Sequence, residues 1–182
     1  MRHLKSVAFL AMLLLSLPAP AQDDTPGDTP DDSSAMTPER LAELILNVDE
    51  EAVRSGSTWT FRVASLEVAV VYDVQADRMR IVIPIESAED IPYEKLVRLM
   101  QANYDSALDA RYAIAHGQLW AAFIHPLSEL SAEEFLVALG ETANIVLSYG
   151  TTYSSGLFIF RGGDSAEIQQ RELIENLKRK SI

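Results

Sequence analysis

The stretch IPYEKLVRLMQANYDSALDARYAIAHGQLWAAFIHPL, residues 91–127, decides the fold that we predict for this chain. Its first half carries apolar residues at helical spacing and therefore predicts a helix from Tyr93 to Tyr104. Asp90 precedes this segment and is the expected N-cap, because a carboxylate accepts hydrogen bonds from the free amides of a first helical turn. The side of the helix that we expect to be buried carries Leu96, Leu99 and Met100.

The second half of the same stretch alternates in polarity, which predicts a two-stranded hairpin. The strands are predicted over Leu108–Ile114 and Leu119–His125. His116-Gly117 is the expected turn, because glycine accepts the positive φ that a two-residue turn requires. This turn sets a register in which Ile114 faces Leu119, Ala113 faces Trp120 and Arg111 faces Ala122.

The segment before this stretch predicts a helix followed by an antiparallel meander. The helix begins at Thr37-Pro38 and is expected to end near Ser55-Gly56, where glycine suits a left-handed cap. Alternating apolar residues then predict three strands with one buried face. These strands are Trp59–Val63, Leu66–Val74 and Met79–Ile85.

The segment after this stretch predicts two further helices. Residues 131–134 are predicted to form a capping box. In this motif the serine hydroxyl accepts the backbone amide of the glutamate, and the glutamate carboxylate accepts the backbone amide of the serine. A last helix is predicted over Asp164–Lys180. Its apolar stripe is narrow, so the sequence does not decide whether this helix packs on the domain. A sixth strand is predicted at Leu157–Phe160. The predicted fold is α+β, with an antiparallel sheet of five or six strands packed by helices in the order α-βββ-α-ββ-α.

The N-terminal region has the features of an export signal. Residues 1–21 combine a basic start, an apolar run that is short for a membrane span, and the small residues of a cleavage site. Residues 22–36 are rich in aspartate and proline, which predicts a disordered acidic linker. We therefore expect a domain over 37–160, a C-terminal helix over 161–182, and a periplasmic or secreted protein of a bacterium.

Composition excludes several classes of function. The 182 residues include no cysteine and carry a formal net charge of −12. Thiol catalysis, zinc–thiolate sites and disulfides are therefore excluded. An acidic chain repels phosphate backbones, which argues against nucleic-acid binding. The linker aspartates lack the spacing of a calcium-binding EF-hand loop, so we expect no metal. We also expect no cofactor and, once the signal peptide is cleaved, no membrane insertion.

The order of elements and several phrases of the sequence resemble the type III secretion chaperone-like fold, and within it the YbjN and CesT-like groups. These phrases are LMQANYDSALDARYAI at 99–114, LWAAFIHPL at 119–127, SAEEF at 131–135 and the strand pattern over 68–83. The resemblance implies a small, acidic, non-enzymatic binding protein, with a homodimer as a common assembly. The export signal departs from secretion chaperones, which work in the cytoplasm.

The junction between the central helix and the hairpin carries the candidate binding residues. Tyr104 and Tyr112 combine a large ring with a polar tip, which suits partner contacts. If helices cover the sheet face of Leu119, then Trp120 lies in an exposed apolar patch, which soluble monomers rarely leave uncovered. Buried packing is the alternative for Trp120. The predicted binding set is Tyr104, Asp109, Arg111, Tyr112, Trp120 and Ile124.

Two hypotheses of function follow. The first is an exported, non-enzymatic protein-binding or chaperone-like module that acts through an open sheet face on a protein or peptide partner. The second is a small-molecule sensor or cryptic enzyme centred on Asp105, Asp109 and Arg111, since paired carboxylates can transfer protons. Asp109 and Arg111 are also expected to share a strand face and form an ion pair. No residue is assigned as catalytic, because neither His116 nor His125 lies in a hydrolase motif.

Overall fold

The computed structural model describes residues 35–156 and 165–181 of the chain. The predicted signal peptide, the linker up to residue 34, the added strand at Leu157–Phe160 and the start of the last predicted helix at Asp164 lie outside these residues. The described elements are α1 (Pro38–Val48), β1 (Val53–Ser55), β2 (Thr58–Val63), β3 (Leu66–Asp73), β4 (Arg78–Ser87), α2 (Tyr93–Asp105), β5 (Arg111–Ala115), β6 (Gln118–His125), α3 (Ala132–Leu147) and α4 (Ser165–Ser181).

The strands form one six-stranded sheet in the order β1-β2-β3-β4-β6-β5, and every neighbouring pair is antiparallel. The α+β class with an antiparallel sheet is therefore as predicted. The six described strands agree with the predicted five or six, but the additional strand is β1, which precedes the meander and was predicted as helix. Among the described helices, none is long and apolar enough to cross a membrane.

Helix α1 begins as predicted and ends earlier than predicted. The Thr37 side chain accepts a hydrogen bond from the Arg40 amide at 3.2 Å. The helix stops at Val48 because Asp49 takes an extended conformation and its carboxylate accepts hydrogen bonds from the amides of Glu51 (3.0 Å) and Arg62 (2.8 Å). The chain then turns to pair β1 with β2.

Helix α2 covers the edge of the sheet beside β5. Its N-cap is Pro92, which makes no side-chain capping bond, so the prediction of Asp90 as N-cap was wrong. The Pro92 carbonyl instead accepts the amide of Leu96 at 3.1 Å. Among the strands, α2 packs mainly on the edge strand β5, and its buried face is narrow. Leu99 is buried, whereas Met100 is 57% exposed and does not lie on the buried side as predicted.

The β5–β6 hairpin has the predicted turn and register. Arg111 pairs with Ala122, Ala113 with Trp120, and Ile114 with Leu119, which confirms the three predicted pairs. Strand β5 begins later than predicted because Leu108 has a positive φ of 53°, a turn conformation that interrupts an extended strand.

An amide side chain on α2 joins this helix to the first part of β5. Asn103 accepts the Tyr112 amide at 2.7 Å and donates to the Tyr112 carbonyl at 3.0 Å. The outer edge of β5 is therefore occupied by a side chain at this residue.

Helix α3 is the central helix of the core and packs on β4 and β6. Its capping box is confirmed, since the Ser131 hydroxyl accepts the Glu134 amide at 3.1 Å and the Glu134 carboxylate accepts the Ser131 amide at 2.9 Å. Most of its residues are buried, together with alternate residues of every long strand. The sheet therefore has one face packed by helices.

Helix α4 docks on α3 and α1 through a narrow apolar contact. Ile174 and Leu177 are buried, so the last helix does pack on the domain, a point that its narrow apolar stripe did not decide. The approach to α3 is close at Gly140, where an added Cβ would lie 2.5 Å from Cγ1 of Ile174. Glycine is required there because a methyl group would occupy the space of Ile174.

Candidate binding site

The sheet face that points away from the helices is built from alternate residues of neighbouring strands. The buried positions Val70, Ile81 and Phe123 are paired across β3, β4 and β6, and their neighbours in sequence point to the other side. We call that side the open sheet face. Its cross-strand rows are Val71–Arg80–Ile124, Ala69–Val82–Ala122–Arg111 and Pro84–Trp120–Ala113.

The centre of the open sheet face is apolar. Ile124 is 61% exposed, and Val82, Trp120 and Ala122 are half-buried. The indole nitrogen of Trp120 donates a hydrogen bond of 3.1 Å to the carbonyl of Ala115, which holds the ring against β5. A large ring with a fixed orientation is a good contact for a partner, because little side-chain entropy is lost on binding.

The charged residues of the open sheet face are mainly arginines. Glu67 lies opposite Arg62 and Asp73 lies opposite Arg78, so these charges are matched across strands. Arg80 and Arg111 lie opposite apolar residues, and neither forms an ion pair with the described residues. The face therefore carries uncompensated positive charge on a chain whose net charge is −12.

One end of the open sheet face is concave. A pocket of about 510 Å³ lies where β3 turns into β4, and Val71, Asp73, Arg78 and Arg80 are among its lining residues. The pocket is lined by Arg78 and Arg80 together with Val71, and Arg80 is paired with Ile124 on the neighbouring strand. A partner segment in which an acidic residue follows an apolar one would place the acidic side chain beside the arginines and the apolar side chain beside Ile124.

The structure brings together only part of the predicted binding set. Trp120, Ile124 and Arg111 lie on the open sheet face. Tyr104 is 93% exposed on α2, away from that face, and Tyr112 is buried on the helix-covered side. The Tyr112 hydroxyl donates a 2.6 Å hydrogen bond to the carbonyl of Ile145, so it anchors α3 and is inaccessible to a partner.

The predicted ion pair between Asp109 and Arg111 is absent from the described residues, and that prediction was wrong. Because β5 begins only at Arg111, strand alternation does not place Asp109 on the same face. Arg111 donates to the carbonyl of Ala110 at 2.8 Å. A carboxylate oxygen of Asp105 lies 3.8 Å from the guanidinium of Arg98 on α2.

Asp109 lines a separate pocket that contains a residue not predicted from the sequence. This pocket has a volume of about 410 Å³ and lies between the end of β6 and α3. Glu141 lines it and is 1% exposed, and neither of its carboxylate oxygens has a hydrogen-bond partner. The signal in the sequence was a lone acidic residue inside the apolar run FLVALGETANIVL.

Burial and like charge both act on this carboxyl group. Loss of water around Glu141 raises its pKa to about 7, and the neighbouring charge of Asp109 adds to the shift. The backbone amides of Ala110 and Asp109 and the charge of Arg111 oppose it without forming a hydrogen bond of normal geometry to the carboxylate. Within the described residues, no group of three or more ligating side chains could hold a metal ion.

The remaining candidates have structural explanations. His116 occupies the hairpin turn with a φ of 53°, and Nδ1 of His125 lies 2.8 Å from the carbonyl oxygen of Pro126. In the polar loop after α3, the Ser148 hydroxyl donates to the Ser154 carbonyl at 3.0 Å and accepts the Ser154 amide at 2.8 Å. These serines therefore close the loop on itself.

A scan of the chain against protein-family models finds no match, and a search of curated proteins also finds none. Among solved structures, the chain is similar to one described as "Structure of the HopA1-SchA Chaperone-Effector Complex". The two chains are 13% identical, with a TM-score of 0.47, over 60% of this chain and 92% of that one. This similarity does not establish membership of a family.

Proposed function

We propose that this protein is an exported, non-enzymatic module of the type III secretion chaperone-like, YbjN or CesT-like kind, which binds a segment of a partner protein on its open sheet face. The observation that carries the proposal is the combination of an apolar centre with unpaired arginines on that face. Exposed apolar area of this kind is typical of an interaction surface.

The charges of the face indicate the chemistry of the partner. Arg80 and Arg111 flank the row formed by Val82 and Ala122, so a matching segment carries apolar side chains with acidic residues on both sides. Attraction between unlike charges would speed association and would weaken as salt is added. The remaining surface of an acidic chain repels such a segment, which favours binding at this face alone.

Peptide selection tests this proposal. We expect random peptides that bind the purified protein to be enriched in apolar residues flanked by Asp or Glu. Trp120→Ala and Ile124→Ser should each weaken the affinity of the selected peptides about tenfold or more, because both side chains lie at the centre of the contact. Isothermal titration calorimetry at low and high salt measures both effects.

Leu147→Ser is the matched control, because Leu147 is 50% exposed but belongs to α3, on the other side of the sheet. Its peptide affinity should equal that of the unchanged protein. Selected peptides without acidic residues, or equal losses in the control variant, would contradict the proposed surface.

Export is the second part of the proposal and has its own measurement. The support is the tripartite sequence of residues 1–21. We expect the protein isolated from its cells to begin at Gln22 and to be released with the envelope fraction. A cytoplasmic protein that retains residue 1 would refute this part and leave the binding surface unaffected.

A homodimer through α2 is the assembly that we propose. Tyr93, Val97, Met100 and Tyr104 are exposed and recur at intervals of four, three and four residues, which is the spacing of a helix–helix seam. The stripe lies opposite the narrow buried side of α2 that carries Leu99. Two copies packed antiparallel along this seam would cover it in both chains.

A further inference from the structure

The pocket between β6 and α3 has a chemistry that differs from that of the open sheet face. Its acidic lining residues are Asp109, Glu133, Glu134 and Glu141, and its apolar ones include Phe123 and Val137. Acidic side chains near one another are common on protein surfaces and do not define a site. The informative residue is Glu141, because its carboxylate is buried without a partner.

Two of the four carboxylates are already engaged. Glu133 pairs with the ammonium group of Lys178 on α4 at 2.7 Å, and Glu134 completes the capping box of α3. Glu141 and Asp109 form no ion pair with the described residues. The two free carboxylates are close enough for the charge of Asp109 to disfavour ionisation of Glu141.

A buried, ionised carboxylate that lacks a partner and lies beside a second carboxylate is destabilising unless a cation neutralises both. The cations nearest the pocket do not do so. The guanidinium of Arg111 donates to the Ala110 carbonyl, and Lys178 is paired with Glu133. The imidazole of His125 stacks on Phe123, with ring centroids 5.8 Å apart. The ionised form of Glu141 therefore lacks a counter-charge, which a cation from outside would supply.

The apolar residues decide which kind of cation fits. The Phe123 ring and the side chains of Val137 and Ala138 line the pocket together with the carboxylates. Methylene groups gain free energy by leaving water for such a surface, whereas a hydrated metal ion gains nothing from it. A volume of about 410 Å³ is sufficient for a chain of several methylenes.

We propose that this pocket binds a primary ammonium group carried on an alkyl chain, with Glu141 and Asp109 as the paired carboxylates and Phe123 and Val137 against the methylenes. A free alkyl amine and a lysine side chain of a peptide present this same chemistry. Ile124 belongs both to this pocket and to the surface proposed for partner binding, but the paired carboxylates belong to the pocket alone. Variants of the carboxylates therefore test the pocket separately, and failure of one proposal leaves the other standing.

Isothermal titration calorimetry of the full protein with n-butylamine, 1,4-diaminobutane and a blocked Ala-Lys-Ala peptide tests the proposal. We expect at least one of the three to bind with one-to-one stoichiometry. Binding of the free amines identifies a small-molecule site, and binding of the peptide alone identifies a side-chain site. Titration at pH 7 in two buffers of different ionisation enthalpy should reveal release of up to about half a proton per ligand, because the bound cation favours ionised Glu141.

Glu141→Gln and Asp109→Asn should each weaken binding about tenfold or more, because each removes a charged acceptor. Glu129→Gln is the control, since Glu129 is exposed and does not line the pocket. Circular dichroism checks that the variants fold, and Asp109 lies at the surface, where substitution is tolerated. Absence of binding by all three probes at millimolar concentration would overturn the proposal. Unchanged affinity in Glu141→Gln, or tighter binding of Ca²⁺ that the same variants abolish, would do the same.

Discussion

The hydroxyl of Tyr112 on β5 donates a hydrogen bond of 2.6 Å to the backbone carbonyl of Ile145 on α3. Ile145 belongs to the last turn of the helix, where carbonyl groups lack an amide from a following turn. The bond therefore satisfies a helix end from inside the core and joins an edge strand to the central helix. Burial raises the pKa of Tyr112, so its hydroxyl keeps its proton and stays a donor.

Removing this hydroxyl should destabilise the protein. Tyr112→Phe keeps the ring but leaves the Ile145 carbonyl buried without its donor, so we expect a loss of about 1–3 kcal/mol in the free energy of unfolding. Urea denaturation measures it. Tyr104→Phe is the matched control, since the Tyr104 ring is in solvent, and it should change stability by less than about 0.5 kcal/mol. Equal effects in the two variants would show that the buried bond contributes nothing.

The contact between Gly140 and Ile174 predicts a steric effect on α4. Alanine is the better helix former by about 1 kcal/mol, yet its Cβ at position 140 would lie 2.5 Å from Cγ1 of Ile174. We expect Gly140→Ala to lower stability by about 1–3 kcal/mol through overpacking. Amide hydrogen exchange should then be faster in α4 than in the sheet.

A second substitution separates overpacking from other causes. Ile174→Ala removes the Cγ1 atom that the new methyl group would meet. The double variant should therefore lose less stability than the sum of the two single variants, because the pair is coupled. If Gly140→Ala instead stabilises the protein, α4 does not approach α3 as closely as described.

Local patterns were sufficient for the elements whose geometry is decided by neighbouring residues. The Ala113–Trp120 pair follows from the Gly117 turn and the period of two in a strand. The capping box at Ser131 and Glu134 is likewise a property of four consecutive residues. Once one sheet face was expected to be covered, the same alternation placed Trp120 and Ile124 on the other.

Features that depend on contacts between distant segments were not predicted. Strand β1 forms because Asp49 binds the Arg62 amide and returns the chain to β2. Tyrosine is a residue type that suits partner contacts, but Tyr112 is buried in the core beneath α3. Glu141 was not identified as a site residue. Its carboxylate is buried without a hydrogen-bond partner because α3 packs beside the turn that carries Asp109, and this contact joins distant segments of the chain.

The seam on α2 predicts an association that charge should disrupt. Met100→Glu places a carboxylate at the middle of the stripe formed with Val97 and Tyr104. At a two-fold contact each glutamate would face the same surface of the other copy, so burial of charge opposes assembly. Analytical ultracentrifugation should detect a dimer for the unchanged protein and a monomer for Met100→Glu. Leu147→Glu, on α3, should remain a dimer, and a monomeric unchanged protein would refute the seam.

Glu141 predicts a dependence of stability on pH. Its pKa is raised from 4.5 to about 7 in the folded chain, so between these values the unfolded chain is ionised while the folded chain keeps its proton. The unfolded state then binds fewer protons, and stability falls as pH rises from about 4.5 to about 7. Since one pKa unit corresponds to about 1.4 kcal/mol, the loss should reach about 3 kcal/mol and stay constant above pH 7.

Glu141→Gln isolates this contribution, because glutamine does not titrate. Urea denaturation of both proteins should give similar stabilities near pH 4.5, and a difference in favour of the variant that grows up to about pH 7. Asp77 and Glu86 have pKa values lowered mainly by hydrogen bonds with Ser128 and Tyr149 respectively. Their stabilising effect is lost as pH falls through their folded pKa values, so it acts on both proteins at lower pH and cancels in the difference. A difference that is constant from pH 4.5 to pH 8 would mean that the Glu141 carboxylate is solvated or paired in the folded protein.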